Sequence, residues 1–114
     1  MSTFDEHEFQ SHVRNLFIKP DNQQGRALHA AVGIAGEAGE ILDAIKKSWI
    51  YGKELDLENI LEESGDVLFY VAALLDQYGL TFGDAAQANY AKLAKRYPDG
   101  YKDQAAIDRA DKVS

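Results

Sequence analysis

The stretch GEAGEILDAIKK, residues 36–47, decides the fold, because it reads either as a glycine-rich loop or as a helix carrying glycine for a reason. Gly33, Gly36 and Gly39 recur every third residue, and each costs about 1 kcal/mol relative to alanine inside a helix. Turned at about 100° per residue, Leu28, Val32, Ala35, Ala38, Leu42, Ile45 and Trp49 fall on one broad apolar stripe. Glu37 and Glu40 lie outside it, about 60° apart around the axis, and share their side with Gly33, Gly36 and Ala44. A face stripped of bulk lets something approach the backbone closely, which a solvated face does not require. The spacing therefore predicts a helix from about Gly25 to Trp49, stopped near Gly52.

The neighbouring segments read the same way. TFDEHEFQSHVRNLFIKP places Phe9, Val13, Leu16 and Phe17 at helical spacing and ends at Pro20. Asp56 is placed to cap a third helix, apolar from Leu57 through Leu75, that stops at Gly79. Thr81 is placed to cap a fourth, with Asp84 in its first turn and Pro98 closing it. No strand-like alternation and no repeat appears. The expectation is an all-α bundle of about four helices, one domain over residues 1–114. Its core covers about 5–98, and the polar tail 101–114 is either a short helix or frayed.

Composition sets limits on function. The chain has 114 residues, 46% of them apolar and spread along its length, enough for a modest core. With no cysteine it has no disulfide framework and no thiolate metal site. No apolar run approaches the roughly 20 residues of a membrane span, and the acidic start MSTFDEHEFQ is unlike a signal, so a cytoplasmic protein is expected. A net charge of −7 argues against broad nucleic-acid binding. It still permits a phosphate ligand where metal ions mediate the contact.

The third helix repeats the acidic device of the second. In EESGDVLFY, Glu63 and Asp66 are three apart with Gly65 between them, and Tyr70 follows one turn later on the same side. The short connection YGKELD makes the two helices antiparallel neighbours. Glu40 lies before that connection and Glu63 after it, each roughly a dozen residues away, so a hairpin brings the pairs level. Four carboxylates then share one site. Two like charges about 4 Å apart repel by roughly 4 kcal/mol at an effective dielectric of 20, and divalent cations relieve this well. Oxygen ligands without histidine or cysteine suit Mg²⁺, with Mn²⁺ as a substitute, rather than zinc. Glu62 and Asp43 are further acids nearby, read as solvated or outer groups.

On the fourth helix Phe82, Ala85, Ala86 and Leu93 define an inward arc, and Asn89, Lys92 and Arg96 fall within it. Lysine and arginine are almost never buried unless paired. Cations turned toward an acidic cluster point to an anionic party between them, and a polyphosphate fits. The alternative is that they snorkel to the edge or bridge the carboxylates directly. Trp49, Tyr51, Phe69 and Tyr70 are aromatic candidates for a base-stacking wall, with plain packing as the alternative; Trp49 and Tyr70 are the two assigned to substrate. His7, His12 and His29 have no glutamate three positions earlier, so the E-x-x-H pattern of di-iron bundles is absent.

These residues resemble a known family. GIAGEAGEILDAIKK, EESGDVLFYVAALL and NYAKLAKRYPDGY are similar to segments of the MazG-like nucleoside triphosphate pyrophosphohydrolases, over roughly residues 28–101. That all-α group carries E-x-x-E, a gap, then E-x-x-D, matched here by Glu37 and Glu40, 22 residues, then Glu63 and Asp66. The family's N-x-x-K-x-x-x-R falls on Asn89, Lys92 and Arg96. The resemblance implies Mg²⁺-dependent hydrolysis of a nucleoside triphosphate to the monophosphate and pyrophosphate, by a homodimer or homotetramer. A non-catalytic helical module that binds nucleotide or metal, or serves as a small dimerising partner, is the alternative.

Overall fold

Three of the helices begin where a side chain satisfies amides that have no partner within the helix. Asp5 accepts from the amides of His7 and Glu8 and starts α1 (Glu6–Leu16). Asn22 accepts from Gly25 and starts α2 (Gln23–Tyr51), and Asp56 accepts from Asn59 and starts α3 (Leu57–Asp76). A fourth helix, α4, spans Phe82–Arg96. These come from a computed structural model that describes residues 3–100, and no β-strand forms among them. The expected all-α architecture of four helices is what is found. The tail 101–114, expected as a short helix or frayed end, lies outside the described residues. Two compact units result, one ending at Thr81 and the other beginning at Phe82.

α2 runs for 29 residues straight through its glycines. It ends as expected at Gly52, which turns left-handed (φ 68°) and donates its amide to the Lys47 carbonyl. At Gly33 the reason for glycine is direct: a Cβ there would stand 2.5 Å from the ring of Tyr70 on α3. At Gly36, Gly39 and Gly65 it would meet nothing within 4 Å. The close approach read from the sequence is therefore made at Gly33, and its occupant is an aromatic ring.

α2 and α3 form an antiparallel hairpin and α1 lies against α3. The covered positions of α2 step along Ala27, Ala30, Gly33, Glu37, Ile41, Ala44 and Ser48. The apolar stripe one residue further round is left open: Leu28, Val32, Leu42 and Trp49 are 66, 62, 68 and 87% exposed. A shift of one residue rotates the face by about 100°. The small-residue side permits a close helix contact that the leucines would prevent.

The core of this unit is Val13, Phe17, Ala30, Ala72 and Ala73, with Phe9, Phe69, Tyr70 and Leu74 packed against it. Phe17 of the α1 end sits 4.9 Å from the His29 ring and 6.2 Å, edge to face, from Tyr70. α1 is fastened to α3 by Arg14, whose Nη2 and Nε donate to Asp76 Oδ1 at 2.7 and 3.0 Å. Gln10 adds a buried bond from Nε2 to the Ala72 carbonyl at 3.1 Å. Together these contacts press Tyr70 onto Gly33 and so fix the register of α2 on α3. One turn from Gly33 is Glu37; one and two turns back from Tyr70 are Asp66 and Glu63.

α4 has no fully buried residue among those described; of the arc expected to face inward, Phe82 is half-buried and Ala85, Ala86 and Leu93 are exposed.

The two glycines separate in a simple experiment. Gly33→Ala drives a methyl group into a held ring and destabilises by about 1–3 kcal/mol. Gly36→Ala, with open space around it, stabilises by about 0.5–1 kcal/mol. Urea unfolding of the two variants reads the difference, and equal shifts would contradict the packing of Tyr70 on Gly33.

Candidate metal centre

The register just described delivers three acids to one point on the α2–α3 seam. One carboxylate oxygen each from Glu37, Glu63 and Asp66 lies within 4.8 Å of the others. Glu37 and Glu63 are half-buried between the helices. Oε2 of Glu63 is buried and has no hydrogen-bond partner. An acceptor in that state is costly unless a proton or a cation reaches it. The contact between Glu63 and Glu37 becomes a hydrogen bond only when one of the two carries a proton. That contact, then desolvation, then the charges of Glu37, Asp66 and Glu40 push the Glu63 carboxyl up to about 7. Three hard oxygen donors, one of them orphaned, fit a divalent cation.

The other residues singled out by sequence take different positions. Glu40, one turn beyond Glu37, is exposed and stands outside the trio; its charge still reaches Glu63. It lines a separate cavity of about 270 Å³ that runs toward the helix connection. Tyr70 is packed among Gly33, Phe17, His29 and Phe69. Trp49 projects into solvent, 87% exposed. Asn89, Lys92 and Arg96 share one side of α4 in the second unit; Asn89 and Lys92 are exposed, and the Arg96 guanidinium lies 5.9 Å from the centre of the Tyr97 ring. Lys47, Lys53 and Asn59, which line the Glu40 cavity, fall outside the residues the sequence points to. Their signal is the seven-residue step from Glu40 to Lys47, which puts both on one side of α2.

An all-α chain with carboxylates gathered on a helix seam is a candidate divalent-metal hydrolase. The comparisons agree with that class. Residues 27–101 match the MazG nucleotide pyrophosphohydrolase domain, and the chain belongs to that family. The match runs through both compact units. Gene 37 protein of Mycobacterium phage L5 is 32% identical over 77 residues, covering 63% of this chain and 67% of that one. No solved structure matches the chain.

The raised carboxyl makes the metal-free fold sensitive to pH with a definite sign. In the unfolded chain Glu63 titrates at the ordinary carboxylate value; in the fold it holds its proton up to about 7. Below the ordinary value both states hold the proton, the stabilisation is fully present and the slope with pH is zero. Between the two values the unfolded state has lost a proton that the fold retains, so stability falls as pH rises, then levels above the folded value. Urea midpoints of metal-free protein from about pH 4 to about pH 8 therefore decline for the wild type. In Glu63→Gln the decline is flattened. A Glu63→Gln profile that runs parallel to the wild type across this window contradicts the shared proton.

Proposed function

We propose that this protein hydrolyses a nucleoside triphosphate, a deoxynucleotide or a non-canonical nucleotide, to the nucleoside monophosphate and pyrophosphate, with Mg²⁺ as cofactor and Mn²⁺ as a substitute. The observation that carries the reading is the orphaned, buried oxygen of Glu63 inside the Glu37–Glu63–Asp66 cluster, in a chain that belongs to the MazG family. Those three acids are the residues to hold the metal, with Glu40 in reserve one turn away. When bound, a divalent cation neutralises phosphate charge and acidifies a water molecule.

The chain's own part is charge placement. Water attacks the α-phosphorus, the bond from that phosphorus to its bridging oxygen breaks, and pyrophosphate departs. A carboxylate of the acidic set receives the proton of the attacking water. Asn89, Lys92 and Arg96 of α4 are assigned to the phosphate oxygens, where cations stabilise the charge that develops on the leaving group. Of Trp49 and Tyr70, the two aromatics assigned to substrate, Trp49 is the exposed one and is assigned to meet a base.

The protein works as a homodimer or homotetramer in this reading. The support is the open stripe of Leu28, Val32, Leu42 and Trp49 on α2, continued by Leu57 and Leu61 on α3 at 69 and 75% exposure. No membrane partner and no stable nucleic-acid partner is assigned, and no helix among the described residues is long and apolar enough to cross a membrane.

An assay that separates pyrophosphate from orthophosphate, across canonical and modified nucleotides, tests the reaction. Pyrophosphate is the expected product, dependent on Mg²⁺, and Asp66→Ala loses it while keeping its helical spectrum. Near-normal turnover in Asp66→Ala contradicts the site. Nucleotide binding without turnover on every substrate identifies a non-catalytic module.

A further inference from the structure

At the end of α2 far from the connection, a cavity of about 390 Å³ opens where the end of α1, the start of α2 and the end of α3 meet. Arg14 and Phe17 line it from the α1 side, Arg26 from α2 and Gln77 from α3. Arg26 stands eleven residues before Glu37, about 16 Å along the helix, so the cavity is separate from the acidic seam.

Arg26 is the residue that asks for a ligand. It is half-buried, its Nε donates to Gln77 Oε1 at 2.8 Å and its Nη1 to the Pro20 carbonyl at 3.0 Å. Both acceptors are neutral, and no carboxylate among the described residues pairs with it. Neutral oxygens satisfy the hydrogen bonds of a guanidinium but leave its charge uncompensated, and a cation partly withdrawn from water gains from an anion. Its Nη2 has no partner among the described residues. The group is also fixed in advance: Gln77 Nε2 donates to the Ala73 carbonyl at 3.2 Å, and the Gln77 carbonyl accepts from Gln23 Nε2. A donor held in place before the ligand arrives loses little freedom on binding.

Arg14 supplies a second guanidinium. Asp76 takes its Nε and Nη2 and neutralises it, while Nη1 has no partner among the described residues. Asp76 is the one carboxylate in the lining, so the two arginines leave the cavity net positive in a chain of net charge −7. Two guanidinium groups from different helices suit a tetrahedral oxyanion, whose oxygens can accept from separate forks, better than a flat carboxylate. Phe17 and Ile18 add apolar surface for the organic part of an ester.

We propose that this cavity binds a phosphate group, as a phosphate ester or as free phosphate, between Arg26 and Arg14. The site lies outside the proposed reaction and does not rest on it. A phosphate that bridges Arg14 beside α1 and Arg26 of α2 ties α1 to the α2–α3 hairpin, so occupancy stabilises the unit.

Chelator-treated protein, in a phosphate-free buffer of constant ionic strength, is titrated calorimetrically with inorganic phosphate and with a nucleoside monophosphate, and the thermal midpoint is followed alongside. Saturable binding and a raised midpoint are expected with at least one of the two, and the tighter one names the source, free ion or ester. Arg26→Gln weakens binding by about 10- to 100-fold, the value of one charged hydrogen bond. Should Arg26→Gln fail to fold, Ile18→Glu keeps the test: Ile18 is 60% exposed, and a carboxylate there repels phosphate without removing a hydrogen bond. Lys92→Gln, altered on α4, and Lys46→Gln, an exposed cation removed outside the cavity, bind phosphate as the wild type does. No saturable binding to the wild type, undiminished binding in folded Arg26→Gln or in Ile18→Glu, or an equal loss in Lys92→Gln or Lys46→Gln overturns the site.

Discussion

Three acids that repel one another are held together by the packing of two helices, and the rest of the first unit serves that arrangement. Glu37, Glu63 and Asp66 would separate if α2 slid or rotated on α3. Tyr70 seated on Gly33 prevents the slide, because any side chain larger than hydrogen at position 33 collides with the ring. Phe17 and His29 press the ring from the other side, and Arg14 on Asp76 keeps α1 in place to do so. The hydrogen bond shared with Glu37, then desolvation in the seam, then the charges of the neighbouring acids raise the Glu63 carboxyl, and an orphaned oxygen stands beside it.

Much of this was legible in the sequence because helices announce themselves locally. Asp56 as a cap, Gly52 and Gly79 as left-handed stops, and acid pairs equidistant from a short connection are short-range signals. Each is present where it was expected. The rotation of α2 was not legible, since two adjacent faces compete: one rich in leucine, the other in glycine, alanine and glutamate. Amphipathicity favours the leucines, yet close helix packing selects the small residues, and only the three-dimensional contact of Tyr70 with Gly33 decides. The E-x-x-E spacing offers Glu40 and Glu37 alike, and in the fold it is Glu37 whose carboxylate lies within 4.8 Å of Glu63 and Asp66. Their burial separates them, Glu37 half-buried on the seam and Glu40 exposed, and spacing along the chain carries no information on that.

The leucine face that α2 leaves open is a difficulty for a small chain. A chain of this size has few elements with which to cover every amphipathic face. α2 has used its small residues to build a seam for charge, and its Leu28, Val32, Leu42 and Trp49 remain outward. The polar chemistry and the proposed self-association therefore draw on different sides of the same helix, α2.

The central claim is that the Glu37–Glu63–Asp66 seam is a divalent-cation site created by helix register. Calorimetric titration of Mg²⁺ into nucleotide-free protein near pH 7 tests it most directly, because the ion must displace the proton that Glu63 retains. The account predicts binding accompanied by proton release, seen as a dependence of the heat on buffer ionisation enthalpy. It predicts loss of both the binding and the proton release in Glu63→Gln. Mg²⁺ binding of equal strength in wild type and Glu63→Gln, with no proton released, would contradict it.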